Sequence, residues 1–139
     1  MKKALLSTEV EIEVPFQDVD AMQVVWHGNY FRYFETARAK LLRTIDYDYP
    51  QMQATHYLWP IIEAHTRFVR PLRYGQRIRV SAALMEWENR MKIEYQILDA
   101  ASRKRHTTGY TIQCALDART QELQLVSPPA LMERLKDYL

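Results

Sequence analysis

Between Glu9 and Phe16 apolar and polar residues alternate: Val10, Ile12, Val14 and Phe16 are interleaved with Glu9, Glu11, Glu13 and Pro15. That period of two predicts a half-buried strand with an acidic outer face. Pro15 offers no N–H to a ladder, so this strand end lies at an edge or is leaving the sheet. From about Gly28 to Thr44 the spacing becomes helical, with Tyr30, Tyr33, Phe34, Ala37 and Leu41 on one face. Arg32, Thr36, Lys40 and Arg43 fall roughly opposite, and Phe31, Glu35, Arg38 and Leu42 form a mixed stripe between them. Such a helix, roughly 25 Å long, is enclosed by other structure rather than laid on a surface.

The stretch 46–60 reads as a connecting loop. Four further alternating segments follow: Ile62/Ala64/Thr66/Phe68, Ile78/Val80/Ala82/Leu84, Ile93/Tyr95/Ile97 and Tyr110/Ile112/Cys114/Leu116. The short polar connections between them suit turns between antiparallel neighbours. Ser127 as N-cap, with Pro128 and Pro129 in the first turn, predicts a short terminal helix. The order is strand, long helix, four strands, short helix. It predicts an α+β fold, a five-stranded, mostly antiparallel sheet wrapped around one long helix, in one domain spanning 1–139. Long strands leave an exposed edge, which a second copy of the chain would cover.

Composition narrows the class. With 139 residues, 47% hydrophobic and 26% charged, the chain is an ordinary globular one. A net charge of +2 and scattered basic residues give no nucleic-acid footprint. Only three glycines occur, and no phosphate-binding glycine loop can be written. One cysteine, Cys114, excludes an internal disulfide and suits a reducing cytoplasm. The N-terminal apolar run is too short for a signal peptide, and no run suits a membrane-spanning helix. The four histidines, His27, His56, His65 and His106, lie on separate elements, so no metal site is expected.

The chemistry concentrates in 18–38, where the first strand ends and the long helix begins. A helix start carries unpaired N–H groups and a partial positive charge, and can stabilise a developing oxyanion. Asp20 lies just upstream. An aspartate, ordinarily ionised at neutral pH, can serve as nucleophile or general base. His27 falls where the helix begins, so an acyl carbonyl between the two would meet a carboxylate and a polarising N–H together. Val25, Trp26 and Tyr30 flank that position. Asp18 reads as a structural residue of the turn. Glu35, three residues before Arg38, suits an ion pair and is otherwise a second candidate carboxylate.

At these residues the chain resembles a known family. Asp18, Asp20-Ala21, Val24-Val25, His27, Tyr30, Glu35 and Ala37-Arg38 are similar to the active-site signature of the 4-hydroxybenzoyl-CoA thioesterase family of hotdog-fold proteins. The pattern resembles in particular the bacterial branch associated with the Tol-Pal system. The resemblance implies a hotdog fold, Asp20 as the catalytic carboxylate and the His27 backbone N–H as oxyanion donor, with an assisting imidazole. It implies no cofactor beyond the coenzyme A of the substrate. The family usually has glycine before the Val-Val pair. Gln23 stands there in this chain, where a side chain would narrow the acyl pocket or reshape the loop.

A coenzyme A substrate needs cations for its phosphates. Arg67, Arg70, Arg73 and Arg77 surround one strand end, and Arg90 and Lys92 another. Arg70 and Arg90 are the expected contacts, reaching a neighbouring subunit's site. The expectation is therefore a cytoplasmic acyl-CoA thioesterase, a homodimer or homotetramer, with no nucleic-acid partner and no membrane span. The alternatives are an acyl-carrier-protein thioesterase, an enoyl-thioester hydratase or dehydratase, and a non-catalytic acyl-thioester-binding protein.

Overall fold

The computed structural model describes residues 3–139. The first strand, β1 (Leu6–Glu13), is followed by two single 3-10 turns, at Phe16–Asp18 and His27–Asn29, and then by α1 (Tyr30–Thr44). Next come α2 (Tyr49–Ala54), β2 (Tyr57–Leu58), β3 (Ile61–Phe68), β4 (Arg77–Glu86), β5 (Met91–Asp99), β6 (Arg105–Gln113) and β7 (Leu116–Asp117). α3 (Pro129–Leu135) and a last 3-10 turn close the chain. The five long strands form one sheet in the order β1-β4-β5-β6-β3, every neighbour antiparallel. β2 and β7 make a separate two-stranded ribbon. This is the hotdog arrangement: α1 runs across the sheet, packed on β1 and β4.

α1 buries Tyr30, Tyr33, Phe34, Ala37 and Leu41, the face that the spacing predicts, and Leu42 as well. Opposite them Ile78, Val80, Ala82 and Leu84 of β4 and Ile93, Tyr95 and Ile97 of β5 are almost wholly buried. Each large apolar side chain so enclosed contributes roughly 2 kcal/mol of transfer free energy, which holds the helix start against the sheet. The Phe34 ring stacks on Tyr95, centroids 4.5 Å apart and nearly parallel. Burial pushes the Tyr95 phenol up to about 12, and its hydroxyl is 2.8 Å from Thr111 Oγ1.

Four details differ from the sequence expectation. The first strand ends at Glu13; Val14 is buried beyond it, whereas Phe16 turns outward in a 3-10 turn and is 71% exposed. The stretch 46–60 is not a plain loop but holds α2 and β2, with Asp48 and Gln51 forming a capping box. Ser127 does not cap α3; Pro128 occupies that position. The fourth difference is one of register. β6 turns Thr107, Gly109, Thr111 and Gln113 toward the helix, opposite Ile97, Tyr95, Ile93 and Met91, and sends Tyr110 and Ile112 to the other face. Only glycine fits at 109 in this register: a Cβ there would stand 2.7 Å from the Phe34 ring and from the His65 carbonyl. Tyr110 instead donates to Glu63 Oε2 at 2.6 Å on the outer face.

Candidate active site

The loop between the two 3-10 turns is a tight hairpin closed by the Val19–Val25 bridge. Within it the Asp20 N–H donates to the Val24 carbonyl, and the Gln23 N–H donates to the Asp20 carbonyl, both at 2.9 Å. Gln23 completes the turn with φ 64°, the left-handed conformation that suits glycine. This accounts for the glycine usual at the position: the turn needs a positive φ there. The Gln23 side chain is exposed and lies outside the adjoining cleft. Gln23→Gly is expected to raise stability by up to about 1 kcal/mol, by releasing left-handed strain, and to leave substrate preference unchanged. Urea unfolding and an acyl-chain profile check both; a changed profile would mean that the side chain shapes the pocket.

Three attachments fix this hairpin. Its Val25 N–H donates to the Leu72 carbonyl at 2.8 Å, in the connection between β3 and β4. The Trp26 N–H and the Asn29 side chain both donate to the Asp18 carbonyl, at 2.9 and 3.0 Å. The Asp18 carboxylate is buried and accepts from Arg32 and from the Tyr33 hydroxyl, the latter at 2.6 Å. Burial and this bond push the Tyr33 phenol well above its ordinary value. Asp18 is thus structural, as expected, but it grips side chains of α1 as well as the turn.

Asp20 keeps a different posture. Its Oδ1 accepts the Met22 N–H at 2.8 Å, and its other oxygen has no partner among the described residues. A cleft of about 250 Å3 opens beside it, lined also by Val25, His27, Tyr30, Phe68 and Arg70. Five of the residues singled out from sequence therefore meet in one place. Tyr30 and Phe68 meet edge to face with centroids 4.8 Å apart, giving the cleft an aromatic wall. Burial raises the Tyr30 phenol; a backbone hydrogen bond from Leu72 opposes this, and the nearby Asp20 charge adds to it.

His27 opens the 3-10 turn that leads into α1, and the Trp26 side chain makes no capping bond there. The first N–H groups of such a turn have no acceptor within the helix, so they are free for an incoming oxygen. Trp26 is outside the cleft lining: its ring tilts on His27 and covers Gly28, where any Cβ would collide with the indole. Glu35 is exposed and paired with Arg38, as expected, and does not reach the cleft. Arg90 lies at the β4–β5 turn, paired with Glu86 at 3.1 Å and away from this chain's Asp20.

The cations divide by partner. Arg32, Arg77, Arg79 and Arg90 each hold a carboxylate. Arg67, Arg70, Arg73, Arg103, Lys104 and Arg105 form no ion pair among the described residues. Arg67 and Arg105 flank a second cleft that shares Phe68 and Val69 with the first. His106 ties the two regions together, its carbonyl accepting the Val69 and Arg70 N–H groups at 2.9 Å and its Nδ1 lying 3.1 Å from the Pro71 carbonyl. Arg105 and Phe68 were not singled out as site residues from sequence. Phe68 was visible as a strand residue, but its neighbourhood with Tyr30 needs the β3–α1 geometry. Among the described residues no cluster of metal-ligating side chains occurs, and no helix is long and apolar enough to cross a membrane.

Residues 14–135 match the model of the thioesterase-like superfamily. A protein of Synechocystis sp., provisionally named an esterase, is 27% identical over 128 residues, 91% of this chain and 77% of that one. A provisionally named acyl-CoA thioesterase of Bacillus subtilis is 32% identical over 66 residues, 48% of each chain. The crystal structure of the 1,4-dihydroxy-2-naphthoyl-CoA thioesterase from Synechocystis has the same fold. It superposes with a TM-score of 0.83 at 17% identity, over 94% of this chain and 96% of that one. The chain belongs to the thioesterase-like superfamily and, with it, to the hotdog enzymes that hydrolyse acyl thioesters.

Proposed function

We propose that the protein hydrolyses an acyl-CoA to the carboxylic acid and free coenzyme A, with Asp20 as the reacting carboxylate. The observation that carries this is the shared cleft: an incompletely bonded Asp20 beside the turn that begins at His27. A thioester carbonyl seated there has its carbon toward Asp20 and its oxygen toward the first N–H groups of the turn. In the nucleophilic course the Asp20 oxygen attacks that carbon, the thiolate leaves, and water then hydrolyses the mixed anhydride and restores the carboxylate. In the general-base course Asp20 takes a proton from a water that attacks directly. Label found in the Asp20 side chain after a single turnover in oxygen-18 water identifies the nucleophilic course, with water attacking the Asp20 carboxyl carbon of the anhydride.

Val25, Tyr30 and Phe68 would hold the thioester end of the substrate. Arg70, Arg67 and Arg105, cations without carboxylates, would hold the phosphates of the carrier. The Asp20 and His27 spacing supports the Tol-Pal-associated branch. Strand β3, which among the described residues pairs on its β6 side alone and is exposed along most of its length, supports a homodimer built edge to edge. A cytoplasmic location accords with a coenzyme A substrate.

The test is thiol release from short, long and aromatic acyl-CoAs, 1,4-dihydroxy-2-naphthoyl-CoA included, beside an acyl-carrier-protein thioester and an enoyl-CoA. Turnover of at least one acyl-CoA well above the spontaneous rate is expected. Release from the carrier-protein substrate alone would transfer the reading to that carrier. Hydration of the enoyl-CoA, or no turnover at all, would overturn it.

A further inference from the structure

The ends of β1, β3 and β5 and the starts of β4 and β6 lie together at one end of the sheet. The register puts them there: Glu13 pairs with Arg77, Ile78 with Asp99, Leu98 with Arg105 and Phe68 with Thr107. Three connections, 14–29, 69–76 and 100–104, therefore cap the same end. Hydrogen bonds tie each to the next. The Gly75 N–H donates to the Val14 carbonyl and Gln76 Nε2 donates to Asp99 Oδ1, both at 2.9 Å. The Arg103 N–H donates to the Asp99 carbonyl at 2.8 Å.

These turns hold large apolar side chains out to solvent. Phe16 and Tyr74 meet edge to face, centroids 5.5 Å apart, and both remain largely exposed. Met22, in the Asp20 hairpin, is 75% exposed. Apolar surface left uncovered and rimmed by charge marks an interaction surface. The rim is cationic. Arg73, Arg103 and Lys104 lie on the same turns without an ion pair among the described residues, and Arg67, Arg70 and Arg105 adjoin them. The carboxylates at this end are otherwise engaged: Asp18 is buried, Glu13 faces Arg77, and Asp99 accepts from Gln76 and the Ser102 N–H. Asp20 alone stands incompletely bonded, beside its cleft. At the opposite end Arg43, Arg90 and Arg119 are paired with Asp48, Glu86 and Asp117.

We propose that this end of the sheet docks on the surface of an anionic lipid bilayer. The interleaving of rings and cations favours lipid over a protein partner. Protein interfaces deplete charge at their apolar centre. Here Arg73 is next to Tyr74 in one turn, and the apolar side chains stand on turn tips rather than in a groove. A bilayer surface accepts both at once: anionic headgroups meet the cations, and the acyl boundary below takes the rings. The inference stands apart from thioester hydrolysis and survives its failure.

The test is co-sedimentation of the full chain with vesicles of phosphatidylcholine, pure or with one third phosphatidylglycerol. Binding to the anionic vesicles is expected to be at least about tenfold tighter, and to weaken as salt is raised. Arg73→Gln/Arg103→Gln should lower that affinity about tenfold or more. Phe16→Ser/Tyr74→Ser should lower it by a similar factor, because rings that enter the lipid contribute beyond charge. Leu125→Ser, 89% exposed at the opposite end, should leave it unchanged. Equal binding to both vesicles, or to neither, overturns the proposal. So does polyglutamate held as tightly as the anionic vesicles, which would mean attraction to any polyanion, an acidic protein included. Both comparisons use the wild type and stand whether or not a variant folds. Unchanged affinity in a folded Phe16→Ser/Tyr74→Ser also overturns it.

Discussion

Asp20→Asn is expected to lower kcat/KM for acyl-CoA hydrolysis by at least about 10³-fold while leaving the fold intact. The two halves of this expectation have separate causes. An amide is neither a nucleophile nor a base, so both courses of reaction fail; that factor corresponds to about 4 kcal/mol of lost transition-state stabilisation. The turn survives because an asparagine Oδ1 still accepts the Met22 N–H, the one bond the Asp20 side chain makes among the described residues. Asp20→Ala removes this bond also and should add a small loss of stability with no further loss of activity. Steady-state thiol release and thermal unfolding of all three proteins check the pair. Equal rates for wild type and Asp20→Asn would sink the proposed role of Asp20.

Much of this site was legible because its parts are local in sequence. Asp20, Val25, His27 and Tyr30 lie within eleven residues, and a strand end followed by a helix start brings them to one cleft by chain geometry alone. Arg70 also lines this chain's own cleft, whereas its charge alone directs the sequence reading to a neighbouring subunit's site. The helix face was legible for the same reason, since a buried stripe at a period of 3.6 needs no knowledge of its partner.

What stayed hidden depends on long-range fit. In β6 the more apolar residues alternate on the other parity, and the closeness of the Phe34 ring and the His65 carbonyl, which makes position 109 glycine, is not visible in the sequence. For Gln23 the sequence leaves open a narrowed pocket or a reshaped loop, and the positive φ that favours the loop is visible only in the backbone. Nearness in sequence points to Trp26, and charge to Arg90. Packing over Gly28 and pairing with Glu86 decide where they lie.

Asp18→Ala should behave in the opposite sense to Asp20→Asn, costing about 3 kcal/mol of stability and only about tenfold in activity. The carboxylate is 2% exposed, and its removal leaves the buried Tyr33 hydroxyl without its acceptor. Arg32 is the lesser partner: its side chain is 58% exposed and stays hydrated once released. Activity falls less because the bonds that hold the helix start run to the Asp18 carbonyl, which alanine retains. For a chain of this length the melting temperature should drop by roughly 10 °C. Tyr33→Phe removes the same bond from the other side. The double variant Asp18→Ala/Tyr33→Phe should therefore cost about 1–2 kcal/mol less than the two single changes added together. Strict additivity would show that the two side chains act independently, and that something other than the Asp18 anchor holds the Asp20 loop against α1.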